Sequence, residues 1–139
     1  MANKTRLLLD LNILLDVLQR RIPFYDASAR LLALVETGQV EGFLAAHSVT
    51  TLFYLVSKSE STAAARVTLT SLMQFLKIAA VDQNTIEQAL NLQYKDFEDA
   101  VQIIAALQIK ADFLVTRNPK DYHPAPVPTI QPVDFLATL

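Results

Sequence analysis

The chain has 139 residues, 52% of them hydrophobic and 19% charged, a balance that excludes disorder and fits one domain, residues 1–139, with a sizeable core. Only two glycines (Gly38 and Gly42) and no cysteine are present, which excludes glycine-rich nucleotide cradles, disulfide staples, zinc fingers, iron–sulfur clusters and thiol nucleophiles, while His47 and His123, far apart in sequence, argue against a histidine-rich zinc site. Twelve basic residues against fourteen acidic ones give a formal net charge of −2, so any binding of nucleic acid must come from a local basic patch.

Thr5 to Leu9 reads as a short strand. Its apolar run is continuous rather than alternating, which suits a central parallel strand covered on both faces. The run Leu7 to Leu9 is interrupted by Asp10 too soon for a signal-peptide core, and no apolar stretch is long enough to span a membrane. A cytoplasmic protein is the expectation. Leu11 to Leu18 reads as a helix with Asn12 as its N-cap, broken by Pro23. Tyr25 to Thr37 has helical spacing at Ala27, Leu31, Leu34 and Val35, and Gly38 fits its C-terminal cap. Val40 to Ala46 is a second strand, and Ser48 or Thr50 caps a helix running to about Ser57.

Ser61 to Leu76 is a further helix, Lys77 to Val81 a third strand, and Thr85 to Gln93 a short helix. In Asp96 to Ile109, Ala100, Val101, Ile104, Ala105 and Leu107 make a broad apolar stripe. Asp112 to Thr116 is a strand, followed by a turn at Asn118-Pro119. Pro124, Pro126, Pro128 and Pro132 predict an extended tail, with Val127 to Ile130 an edge strand. Strands alternating with helices predict a three-layer α/β/α sandwich with a mostly parallel central sheet. In such sheets ligands bind beyond the carboxyl ends of the strands, near the switch in strand order.

Carboxylates fall where that rule wants them. Asp10 ends the first strand; Asp96 and Asp99 stand three apart at a helix start and share a face; Asn118 and Asp121 follow the strand at 112–116. Each has a plain structural account. An Asp after a strand serves a turn or a cap, acids in a first helical turn favour the helix dipole, and Asn-Pro makes a turn. Their coincidence on one sheet edge says more. Carboxylates brought together repel unless a cation joins them, and oxygen ligands without His or Cys select Mg²⁺ or Mn²⁺. Such an ion is the usual setting for phosphodiester hydrolysis.

Three motifs then resemble those of the PIN-domain family, close to its VapC-type toxin ribonucleases. Asp10-Leu-Asn12-Ile-Leu-Leu-Asp16 is similar to the family's D-x-N-x-x-L-D opening, Asp96-Phe-Glu98-Asp99-Ala100 to its D-x-x-D-A helix, and Thr116-Arg117-Asn118-Pro-Lys-Asp121-Tyr to its T-R-N-x-x-D-F/Y ending. The resemblance covers nearly the whole chain. It implies a PIN-like fold and a metal-dependent endoribonuclease acting on single-stranded RNA, the toxin of a toxin–antitoxin pair. Asp10, Asp99 and Asp121 would be catalytic metal ligands, with Asn118 a further ligand where many relatives carry an acid. Asn12, Thr51, Asp96 and Thr116 would support them, and Asp16 would be structural or peripheral.

One departure stands out. The family's T-x-x-E helix corresponds here to Ser48-Val-Thr50-Thr51-Leu-Phe-Tyr54-Leu, which has no acid. Thr51 or Thr50 takes that place, with Glu36 and Glu41 as remote substitutes, and the resemblance then implies lowered metal affinity and weakened activity. Lys95, Arg117 and Lys120, with Arg20-Arg21, are the candidate contacts for an RNA backbone, or else solvated surface. Phe97 and Tyr122 are candidates for base stacking, Phe97 having core packing as its alternative. The alternative function is a non-catalytic RNA-binding or protein-interaction module on the same scaffold. By the same resemblance an antitoxin would lie along a groove lined by Ser61 to Leu76 and by Phe53, Tyr54 and Leu55, which otherwise serve dimer or core packing, and a homodimer is expected.

Overall fold

Arg6–Leu9 forms strand β1, and its three leucines are fully buried. Leu7 and Leu9 join one apolar cluster and Leu8 another, so the strand is covered on both faces, as its unbroken apolar run requires. In this computed structural model, which describes residues 4–139, β1 is the middle strand of five. The others are β2 (Glu41–Ala45), β3 (Lys77–Ala79), β4 (Phe113–Val115) and β5 (Thr129–Ile130), in the order β3-β2-β1-β4-β5. Every pairing is parallel, and Leu8 lies opposite Phe43 on one side and Leu114 on the other.

Among the described residues seven helices cover the sheet: α1 (Leu11–Leu18), α2 (Tyr25–Glu36), α3 (Ala46–Ser59), α4 (Thr62–Leu72), α5 (Gln83–Leu90), α6 (Phe97–Gln108) and α7 (Pro132–Ala137). The face with Leu7 and Leu9 buries Ile13 and Leu14 of α1, Leu31 and Val35 of α2, Leu52 of α3, Leu72 of α4 and Phe135 of α7. The face with Leu8 buries Ile103, Ala105 and Ala106 of α6, and α5 packs on α6 through Ala89, Ala100, Val101 and Ile104. This is a three-layer α/β/α sandwich with a wholly parallel sheet. Gly42 in β2 admits α2 closely: a Cβ there would stand 2.7 Å from Val35. Among the described residues no helix is long and apolar enough to cross a membrane.

The chain runs outward from β1 through β2 to β3, then returns to place β4 on the other side of β1. The order therefore reverses between β1 and β4, and a crevice opens beyond their carboxyl ends. Asp10 leaves β1 at that point, its amide donating to the Val115 carbonyl at 2.9 Å.

Four local expectations change. Asp10, not Asn12, caps α1: its carboxylate accepts from the Asn12 amide. α3 begins at Ala46, directly after β2, with no side-chain cap; burial of β2 and α3 fixes the turn without a polar signal. α4 ends at Leu72, and Leu76 is buried in the core beyond it. The proline-rich tail is not extended to its end, because Pro132 opens α7 within its first turn, where a missing N–H costs nothing. Gly38 follows α2 with φ +80°, as a helix-ending glycine should.

Candidate active site

The crevice is lined by five carboxylates: Asp10 from the end of β1, Asp96, Glu98 and Asp99 from the start of α6, and Asp121 from the short 3-10 turn at Pro119–Tyr122. Asn12, Asn118, Gln102 and Tyr122 complete the lining, with no lysine, arginine or histidine among them. The fold thus brings together Asp10, Asp99, Asp121, Asn118, Asn12 and Asp96 from three separate stretches of sequence. As the side chains stand, no three acidic, histidine or cysteine residues among those described are grouped closely enough to hold one ion.

Local structure explains each position. Asp10 Oδ2 accepts from Thr116 Oγ1 at 2.9 Å and from the Tyr122 hydroxyl at 3.2 Å, while Oδ1 accepts the Asn12 amide at 3.2 Å. A carboxylate has about four lone-pair positions; three are engaged by the protein, and one, on Oδ1, remains. Thr116 is buried, and its oxygen also accepts the Asn118 amide at 3.2 Å, tying the residue after β4 to the turn that carries Asp121. Asp96 caps α6 by accepting the Glu98 amide. Asp99 and Gln102, three apart on α6, present themselves on one helix face.

The electrostatics are those of crowded negative charge. Burial, followed by the charge of Asp96, pushes the Asp99 carboxyl up to about 6; Asp10 and Asp121 add to the rise, and a hydrogen bond from Tyr122 opposes it. Tyr122 is buried, and desolvation beside Asp10 and Asp99 raises its hydroxyl well above the usual range, so it stays a proton donor. It is therefore a strut beneath the carboxylates and not an exposed stacking surface. Of these two rings the exposed one is Phe97, at 44%, against the core packing that is its alternative.

Other expected residues lie elsewhere. Thr51 is exposed on α3 and does not line the crevice, nor does Thr50, whose hydroxyl donates to the His47 carbonyl. Glu41 is at the opposite end of the sheet, paired with Arg6 and Lys77, and Glu36 does not reach the crevice. Lys95 and Lys120 are exposed; Lys120 and Arg117 both line a neighbouring groove with Asn118 and Asp121. Arg117 is committed inward: its side chain is 19% exposed, Nε lies 3.4 Å from Oδ2 of the fully buried Asp16, and its guanidinium stacks on Phe24 at 4.2 Å. Arg21 is tied to Gln19 and Asn12.

The sequence alone gives no site role to Glu98, Gln102 or His47. Glu98 lies in the first turn of α6, where the helix dipole alone accounts for an acid. Gln102 carries no charge, so a search for acids skips it, although its spacing from Asp99 marks the shared face. His47, the second residue of α3, has both ring nitrogens buried and unpartnered; burial lowers its pKa, and the Glu98 charge works against that.

The chain matches the PIN domain over residues 6–120. By sequence, no curated protein matches it. Among solved structures it is similar to VapBC2 from Rickettsia felis bound to a promoter DNA fragment, with a TM-score of 0.71 and 18% identity over 91% of this chain and 98% of that one. It is similar also to a toxin–antitoxin complex from Klebsiella pneumoniae (TM-score 0.69, 22% identity, 90% and 96% covered). A third is VapC20 from Mycobacterium tuberculosis, a sarcin–ricin-loop-cleaving toxin (TM-score 0.62, 13% identity, 78% and 86% covered). At these identities the likeness is one of fold.

Proposed function

The chain belongs to the PIN-domain family, and from that premise we propose that it is a divalent-metal-dependent endoribonuclease cleaving single-stranded RNA, the toxin of a toxin–antitoxin pair acting in the cytoplasm. The observation that carries this reading is the convergence of five carboxylates on the switch point of the sheet with no basic side chain in the lining. The donor set is all oxygen, which fits Mg²⁺ or Mn²⁺. Asp10, Asp99 and Asp121 would hold the ion, with Asn118 as a neutral ligand. When bound, such an ion lowers the pKa of a coordinated water and stabilises charge on a phosphate.

The rest of the work falls to the chain. Thr116 and Tyr122 fix the Asp10 carboxylate and leave the free lone pair of Oδ1 for a ligand. The Asp99 carboxyl, pushed up to about 6, gives up its proton when positive charge enters. Lys120 and Lys95, both exposed, supply the positive charge that the crevice lacks, to an RNA backbone at its rim. Phe97 offers a base an exposed ring beside Asp96. Asp96 acts through its cap on α6, which aims Asp99.

The partner would be a small antitoxin seated on the α3–α4 face, where Tyr54 and Val67 are 60% and 68% exposed. The free chain would be a homodimer, which a solution mass measurement tests. The test of the activity is hydrolysis of single-stranded RNA with Mn²⁺ by the parent, Asp10→Asn and Asp99→Asn. Each variant should lose at least about 100-fold, since a lost supporting residue alone costs about 10–100-fold in metal affinity. Equal cleavage by all three would assign the activity to another protein. A second reading, a non-catalytic RNA-binding module, draws on the acids not being grouped to hold an ion as they stand. RNA binding without Mn²⁺ binding or cleavage would select it.

A further inference from the structure

Gln102 is 4% exposed and lines the acidic crevice, yet its amide oxygen is buried without a hydrogen-bond partner. The amide's orientation follows from its neighbours. Tyr122 has one proton, and it goes to a carboxylate, a stronger acceptor than a neutral amide. The Gln102 amide then meets the phenol oxygen as a donor, a contact that works to lower the Tyr122 pKa, and Oε1 stays buried and without a partner in a residue that lines the crevice. A buried acceptor left empty costs free energy comparable to a lost hydrogen bond. Everything else in the lining that carries charge is also an acceptor: Asp10, Asp96, Glu98, Asp99 and Asp121. An orphaned carbonyl among carboxylates calls for a cation.

We propose that Gln102 is an additional metal ligand, contributing its neutral amide oxygen beside Asp99 from the same face of α6. Amide oxygens suit hard divalent cations. The residue thereby supplies from α6 an oxygen donor to a site for which α3 offers no acid. Its NH₂ grips Tyr122, and the Tyr122 hydroxyl grips Asp10, so one chain of hydrogen bonds sets two ligands against each other.

This rests on the metal-site reading above, and Mn²⁺ titration of the full chain separates the two. Affinity and water-proton relaxation would be measured for the parent, Gln102→Met and Gln102→Glu. The Met variant keeps the volume and removes the donor. It should bind Mn²⁺ about 10-fold more weakly, with higher relaxation per bound ion as a water replaces the amide. The Glu variant should bind at least as tightly as the parent with unchanged relaxation, and it decides the matter if the Met variant does not fold. Parent-like affinity and relaxation in Gln102→Met, or weaker binding by Gln102→Glu, overturns the role of Gln102 alone. A parent that binds no Mn²⁺ overturns the metal-site reading along with it.

Discussion

The two ends of the parallel sheet handle charge in opposite ways. At the amino end, Arg6 of β1 pairs with Glu41 of β2 at 3.1 Å, Lys77 of β3 joins the same carboxylate at 3.3 Å, and Asp112 accepts the Arg6 amide at 2.8 Å. Each acid there has a partner from a neighbouring strand. At the carboxyl end, five carboxylates line one crevice without a single basic side chain in its wall. Paired charges at a strand terminus are a structural device of small worth. Unpaired ones are an energetic cost, and their concentration at the switch point marks the end of the sheet that meets ligands.

The largest expected effect follows directly. Removing a carboxylate from the carboxyl end should abolish RNA cleavage, whereas Glu41→Gln at the amino end should leave it at the parent's level. A comparable loss from both substitutions would break the contrast.

Next in size is Arg117. Its guanidinium stands 3.4 Å from the fully buried Asp16, a contact of opposite charges in which Nε makes no hydrogen bond and Asp16 Oδ1 has no partner. Burial already holds the Asp16 carboxyl above the usual range, against Arg117 and Ser28. Breaking a buried pair by removing one partner costs about 3–5 kcal/mol, so Arg117→Ala should lower Tm by about 10 °C or more for a domain of this size. The sign with pH is fixed. A raised folded pKa makes Asp16 least costly when protonated, so the deficit should shrink as pH falls through that raised value. Arg117→Ala combined with Asp16→Asn should recover much of the loss. A surface arginine serving only RNA would show no Tm change.

These residues also show what could be read from sequence. The leucines of β1 declared themselves because burial on both faces leaves only apolar residues, and Ala100, Val101, Ile104 and Ala105 of the α6 stripe are buried, but Leu107, read as part of that stripe, is 41% exposed. Asp10, Asp99 and Asp121 were legible because strand ends and helix starts are points where topology converges. Arg117 was read as an RNA contact because its partner, Asp16, is 101 positions away, and no local pattern announces such a pair. Of the two stacking candidates Tyr122 is buried and Phe97 exposed, and no local pattern tells them apart, because which ring is buried depends on how the 3-10 turn lies against α6. The start of α3 is hidden because no side-chain cap marks it, and Pro132 reads as part of an extended tail unless it is known to be a first-turn residue.

A smaller effect concerns the struts beneath Asp10. Thr116→Val removes the 2.9 Å hydrogen bond to Oδ2 while keeping the side chain's shape. It should weaken Mn²⁺ binding about 10-fold, in the range of residues that orient ligands, and change stability by about 1 kcal/mol. Calorimetric titration checks the first and thermal melting the second. A stability loss with unchanged Mn²⁺ affinity would make Thr116 a packing residue only.

The smallest effect runs against the usual direction for a carboxylate. Asp99 is raised to about 6 in the folded chain, against about 3.9 for an unfolded aspartate. The folded state therefore holds the proton more tightly. The stability Asp99 contributes is complete below the unfolded value and is lost as pH rises through the folded one. At pH 7.5 the ionised carboxylate is a liability to the metal-free protein, of about 1 kcal/mol once solvent screening of this part-exposed group is allowed for. Asp99→Asn should accordingly raise the metal-free Tm by a few degrees at pH 7.5 and leave it unchanged at pH 4. Adding Mn²⁺ should raise the parent's Tm and narrow or reverse the gap, because binding to the native state stabilises by mass action. A drop in Tm on Asp99→Asn at neutral pH would mean that the carboxylate is held by attraction, and the contrast between the two ends of the sheet would fail at its most crowded residue.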